Sequence, residues 1–423
     1  MSSTPLLRLL HFLLLLLPAP LHDYCFPRLS SGGLDVYHPL ILFAGFGCPD
    51  LEARLTEAYT PSVPRCGALK GKGWFPIYKF NTLDLVEHDY VPCFQEQMAL
   101  VYDPVHNKYR NLAGVETRVL NFGSAYGFSE KQMVPDRENL CLVSLRKELE
   151  AVGYRDGDTL FGAPYDMRYA PPSEGYVARV QKLVEHASSK NGDKPVILVG
   201  HSFGATAVLG FLTSTPLPWR NKFIKHLLLI SPPPPTGFTL TITQLTSGPS
   251  VFQIATVPIM ELRPLWRTFA SALLTMPSPV AFGHKPLVIT KHRNYSAYHM
   301  EDLLLALGFT ADQTLPFLRR RTLEVEAPLV PTTYIIGGGI KTPEQLVFWE
   351  GDFDVPPENV YGEGDGTVNM ASLLAFGKEL RRQQERNNVH FKALAIANAT
   401  HAGIVLEEHL LRMVMTEILQ ANR

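Results

Sequence analysis

The 423-residue chain reads as an α/β protein built on a mostly parallel sheet with helices on both faces. Three observations carry that reading. The β-branched, apolar run Val196 to Val199 delivers Gly200-His-Ser-Phe-Gly204 into an Ala/Val/Leu-rich helical stretch. Further apolar runs at His38 to Ala44, His226 to Ser231, Pro331 to Ile336 and His390 to Ile396 have the length of buried strands. A hydrophobic content of 46% is enough to bury one large core with insertions, or two smaller ones.

From the N-terminus, residues 1 to 28 are expected to lie outside this fold. Arg8 precedes the leucine-rich stretch Leu9 to Leu17, which ends at Pro18 and Pro20. An apolar core of about ten residues fits a signal peptide and is short of the roughly 20 needed to span a bilayer. An uncleaved signal anchor is the alternative, because the prolines blur the cleavage site. Either places the rest of the chain in the secretory pathway: extracellular, vacuolar or in the ER lumen. The sequons at Asn294 and Asn398 agree with that route as glycosylation acceptors. Of the five cysteines, Cys25, Cys48, Cys66, Cys93 and Cys141, an odd one is left unpaired or removed with the signal.

The run His38 to Ala44 is the first strand, and Gly45-Phe-Gly47 after it can turn the backbone inward. The Gly200-His-Ser-Phe-Gly204 segment is the nucleophile elbow of an α/β-hydrolase: a sharp strand-to-helix turn strains Ser202 and lifts its hydroxyl clear of the sheet. Such a turn leaves no room for side chains at Gly200 and Gly204.

A serine hydroxyl needs a base, and the base needs an acid that holds its tautomer. In this fold they follow in the order Ser, Asp, His, on loops at the carboxyl ends of strands. His401 stands on the turn after the last candidate strand and before a terminal helix from about Glu407 to Gln420, where the base belongs. For the acid, Asp365 sits in the glycine-rich stretch Tyr361 to Val368, with Asp352, Asp354 and Glu363 as competitors. The oxyanion formed on attack needs two N–H donors, each worth about 3 kcal/mol. These are assigned to the amides of Phe203, next to the nucleophile, and Phe46, after the first strand.

Other chemistries find no support. A formal net charge of -1 provides no field to gather nucleic acid or strongly anionic lipid. His-Glu-x-x-His, a phosphate-binding Gly-x-x-x-x-Gly-Lys-Ser/Thr and Cys-x-x-Cys are all missing, so catalysis is expected to need neither metal nor cofactor.

The chain resembles the lecithin:cholesterol acyltransferase family, in particular its plant LCAT-like 1 and lysosomal phospholipase A2 groups. The resemblance runs from about His38 to the terminal helix, through Leu51-Glu-Ala-Arg-Leu55, Gly162-Ala-Pro-Tyr-Asp-Met-Arg168, Gly200-His-Ser-Phe-Gly204, Trp219-Arg-Asn-Lys-Phe-Ile224, Asn294-Tyr-Ser296, Gly362-Glu-Gly-Asp-Gly-Thr-Val368 and His401. It implies Ser202, Asp365 and His401 as the catalytic residues and the amides of Phe46 and Phe203 as the oxyanion hole. It also implies a lid over residues 61 to 95 clipped by a Cys66–Cys93 disulfide, and a cap insertion over 238 to 328. Trp74 and Phe75 of that lid, with Ile77, Tyr78 and Phe80, are expected to dock the enzyme peripherally on a membrane or lipid particle.

The implied reaction takes an acyl chain from a phospholipid onto Ser202 and passes it to water, as a phospholipase A, or to a sterol or other lipid alcohol, as an O-acyltransferase. Three departures from the family pattern stand out: Ala205 where a glycine is usual, the run Pro232 to Pro235, and Gly45-Phe-Gly-Cys-Pro-Asp50 in place of a Gly-Asn-Gln loop. They motivate the rival expectation of a catalytically weakened or silent lipid-binding relative.

Overall fold

The computed structural model describes residues 37–78, 88–128, 141–171, 173, 175–249, 258–321 and 326–423. The expected signal segment, Cys25 and the lid residue Phe80 lie outside them. The apolar runs form one six-stranded sheet of β1 (Leu40–Phe43), β2 (Leu160–Gly162), β3 (Val196–His201), β4 (Ile224–Ile230), β5 (Thr332–Gly338) and β6 (Phe391–Ala397). Their order is β6-β5-β4-β3-β1-β2, and every pairing is parallel.

A parallel sheet covered on both faces has no solvent side, so its inner strands are apolar at every position. β1, β2, β3 and β5 are buried along their whole length, whereas β6, on the edge, leaves alternate residues exposed. The side chains divide by the two-residue strand period. Leu40, Leu42, Ile197 and Val199 pack with Leu145 and Leu149 of α1 (Val143–Ala151) and Val414 and Ile418 of α5 (Glu408–Ala421). On the opposite face Ile41, Phe43, Val196 and Leu198 meet Val180 and Val184 of α2 (Tyr176–Lys190), Val208 and Phe211 of α3 (Phe203–Thr213), and Leu373 and Phe376 of α4 (Met370–Arg386). Each fully buried aliphatic side chain contributes about 2 kcal/mol.

Besides the two-stranded pair of Leu100–Asp103 with Lys108–Asn111, two smaller sheets flank this frame. Trp74–Tyr78, Leu51–Leu55 and Val115–Val119 form a three-stranded antiparallel sheet. Asn294–Ser296, Pro286–Thr290, Ile340–Phe348 and Glu358–Gly364 form a four-stranded one. The second sheet continues beyond residue 328, because Val288 pairs in parallel with Leu346. It also takes in Tyr361-Gly-Glu-Gly364, which forms an edge strand despite its loop-like composition. No helix among the described residues is long and apolar enough to cross a membrane.

Arg168 ties the loop after β2 to the three-stranded sheet. Its guanidinium is fully buried and donates to both Asp166 oxygens, to Thr117 Oγ1 at 2.8 Å and to the Met98 carbonyl at 3.0 Å. The Asp166 carboxylate outweighs burial and raises the guanidinium's pKa. Removing one partner of a buried pair strands the other, so Arg168→Leu is expected to cost about 3 to 5 kcal/mol in urea denaturation. A loss under about 1 kcal/mol would show that the network contributes little.

Candidate active site

Ser202 stands between β3 and α3, capping the helix, with φ 52° and ψ −133°. That conformation costs on the order of 1–3 kcal/mol for a residue with a side chain and persists only where the surroundings enforce it. The enforcement is visible on both sides. A Cβ on Gly204 would stand 2.1 Å from the Phe43 carbonyl oxygen, and one on Gly200 2.6 Å from the Ala205 Cα. α3 therefore presses directly on β1, and the Ser202 amide donates to the Ile230 carbonyl of β4 at 2.9 Å. Ala205 is accommodated with full burial in the core.

The three residues expected to share the chemistry come together. His401 Nε2 lies 2.8 Å from Ser202 Oγ, and His401 Nδ1 lies 2.8 Å from Asp365 Oδ2. Because a carboxylate only accepts, Nδ1 carries the hydrogen and Nε2 is free to take the serine proton. Asp365 is fully buried, and its other oxygen accepts from the amides of Thr367 at 3.0 Å and Val368 at 2.7 Å. Gly366, at φ +91°, makes that turn. Ser202 and His401 are partly exposed.

The competing acids are placed elsewhere: Asp354 pairs with Arg263 at 2.7 Å, Asp352 accepts from the Asp354 amide, and Glu363 is exposed.

The first-strand loop meets the elbow at Gly45, where a Cβ would lie 3.2 Å from Ser202 Cβ and 3.6 Å from its Oγ. Phe46 follows that glycine and Phe203 follows the serine, and their rings pack edge to face at 5.7 Å. Phe203 is the first residue of α3, where no helical carbonyl stands ready for its N–H.

The loop is tied on several sides, and Tyr78, expected with Ile77 on the docking face of the lid, is instead buried beneath it, as is Ile77. Tyr165 Oη donates to the Ala44 carbonyl and Tyr78 Oη to the Gly47 carbonyl, each at 2.8 Å. Cys48 is disulfide-bonded to Cys141 across 93 residues. Setting Cys25 and the Cys66–Cys93 pair aside leaves Cys48 and Cys141, so elimination was the one signal available.

Cys66 and Cys93 are joined, with Cα atoms 5.0 Å apart. Closing 27 residues contributes about 3 to 4 kcal/mol on the chain-entropy account. Trp74 is half-buried with the guanidinium groups of Arg54 and Arg118 at 5.0 and 4.3 Å from its ring, and Phe75 packs half-buried against the core. The acceptor asparagines of both sequons, Asn294 and Asn398, are exposed. Among the described residues no group of three or more His, Cys, Asp or Glu is placed to hold a metal ion.

A parallel sheet with a strained serine after its central strand, hydrogen-bonded in turn to a histidine and a buried aspartate, is the arrangement of an α/β-hydrolase. The chain belongs to the lecithin:cholesterol acyltransferase family, whose model matches residues 74–306. It is 38% identical to lecithin-cholesterol acyltransferase-like 1 of Oryza sativa subsp. japonica, over 93% of this chain and 89% of that protein. With the lysosomal phospholipase A and acyltransferase of Bos taurus it shares 30% identity, over 79% and 81% of the two chains. The solved Tle4–Tli4 complex covers 91% of this chain and 98% of its own at TM-score 0.55 and 11% identity, a likeness of fold alone.

If Asp365 holds the His401 tautomer, Asp365→Asn will turn an amide N–H toward Nδ1 and move the ring hydrogen to Nε2. The expected result is a fall in kcat of about 10⁴ with little change in folding, because the asparagine oxygen can still accept from Thr367 and Val368. A fall of less than tenfold in kcat would remove Asp365 from this role.

Proposed function

We propose that the protein is a serine-dependent lipid acyl-ester enzyme that transfers an acyl chain from a phospholipid. The observation that carries this reading is the unbroken chain from Ser202 Oγ through His401 to Asp365, with 2.8 Å at each link, in a member of this family.

In the proposed first half-reaction Ser202 Oγ bonds to the acyl carbonyl carbon while His401 Nε2 takes the hydroxyl proton. The carbonyl electron pair moves onto the oxygen, which the amides of Phe46 and Phe203 receive. Its return expels the lysolipid oxygen, which takes the proton from His401, and acyl-Ser202 remains. In the second half, water or a lipid alcohol gives its proton to His401 and attacks the acyl carbon, and Ser202 recovers the proton as it leaves. Water yields a free fatty acid and an alcohol yields a new ester. The name of the bovine relative, both phospholipase A and acyltransferase, supports keeping both fates for one intermediate.

The disulfide-clipped lid, residues 61 to 95, and the cap from 238, whose sheet runs on to Gly364, frame this site in the proposal. Lipid contact through Trp74 and Phe75 requires their half-buried rings to turn outward at the surface. Two disulfides fit an oxidising compartment, in keeping with entry to the secretory pathway.

Incubating the protein with acyl-labelled phosphatidylcholine vesicles, with and without sterol or a long-chain alcohol, separates these fates. Labelled fatty acid is expected without an acceptor, part of the label is expected in ester when an acceptor is present, and Ser202→Ala is expected to yield neither. Intact phosphatidylcholine after prolonged incubation of folded wild type would overturn the reading.

A further inference from the structure

A second imidazole lies inside the elbow. His201 precedes Ser202 and is 3% exposed. Its Nε2 stands 3.1 Å from the main-chain carbonyl oxygen of His401. A carbonyl oxygen only accepts, so Nε2 carries the hydrogen and donates it. The lone pair is therefore on Nδ1, which is buried without a hydrogen-bond partner among the described residues. On that side the ring faces the first-strand loop, where a Cβ on Gly45 would come within 3.6 Å of Nδ1. Burial, reinforced by the nearby His401 ring, pushes the His201 pKa down to about 3, which keeps the ring neutral.

Packing alone does not account for an imidazole here. A phenylalanine or leucine would fill the space and leave no buried nitrogen unsatisfied, which is the more stable choice if nothing else were required. The N–H supplies what an apolar side chain lacks, a second anchor on the backbone of His401. The His401 amide already donates to the Asp365 carbonyl at 2.7 Å, and its own carbonyl accepts from His201. One anchor joins the histidine loop to the acid, and the other joins it to the strand that bears the nucleophile.

We propose that His201 is a positioning residue: its Nε2–H holds the His401 loop against β3 and so sets the approach of the imidazole to Ser202 Oγ. This rests on the reading of Ser202 as nucleophile and His401 as base. His201 touches neither substrate nor reacting atoms and acts through the His401 main chain.

Three substitutions test it. His201→Gln keeps a donor of similar reach, His201→Asn keeps one that is too short, and His201→Phe keeps ring volume without a donor. Each is compared with wild type for the rate of fluorophosphonate labelling and for hydrolysis of a soluble short-chain ester. The phenylalanine variant is expected to lose about 10- to 100-fold in kcat and in labelling rate, with KM within about twofold and the same final labelling stoichiometry. The glutamine variant is expected to return to within about fivefold of wild type, while the asparagine variant stays with phenylalanine.

Should His201→Phe fail to fold, the glutamine and asparagine variants decide. Equal losses in both, or wild-type rates in a folded phenylalanine variant, overturn the proposal. Wild type that never labels is a different result, which removes the nucleophile reading itself and this inference with it.

Discussion

The approach of α3 to β1 across Gly204 governs the rest of the site. A glycine Cα against the Phe43 carbonyl leaves no space for a methyl group, and this contact holds the chain in its turn at Ser202. Because β1 also carries the Gly45 loop, one backbone contact sets both the turn at Ser202 and the segment proposed to receive the oxyanion. The strain at Ser202, on the order of 1–3 kcal/mol, is offset by strands and helices buried on both faces of the sheet. A surface loop could not hold a serine in this geometry.

His401 is held at four points: both ring nitrogens and both main-chain polar groups have partners. Its freedom to move is small. The Asp365 carboxylate is fully buried and has a partner at each oxygen, accepting from His401 and from two backbone amides. In the proposed mechanism, an imidazolium at His401 would face this hydrogen-bonded carboxyl group at 2.8 Å rather than reorienting water. Preorganisation of that kind is where serine enzymes obtain much of their rate.

The elbow was legible because glycines at fixed spacing, an apolar run before and small residues after all reflect one steric demand. His401 was legible from its place after the last strand. Asp365 was less so, because Tyr361-Gly-Glu-Gly364 reads as a loop, and only pairing with residues 340–343 makes it a strand that delivers the aspartate. Its glycine flanks favoured it over Asp352, Asp354 and Glu363, and the family resemblance strengthened that choice. Pairings across long separations left no local trace: Cys48 with Cys141, Tyr78 with Gly47, and Val288 with Leu346 each depend on the folded chain. The role inferred for His201 was equally silent, since the position before the serine carries no side-chain rule in the motif.

The most direct test of the account is whether the acyl chain rests on Ser202 between the two half-reactions. Wild type mixed with phosphatidylcholine, quenched in acid within milliseconds to seconds and digested, should contain a Ser202 peptide heavier by one acyl group, absent from Ser202→Ala. Phospholipid turnover with no such adduct at any quench time, or with the acyl group on a different residue, would contradict it.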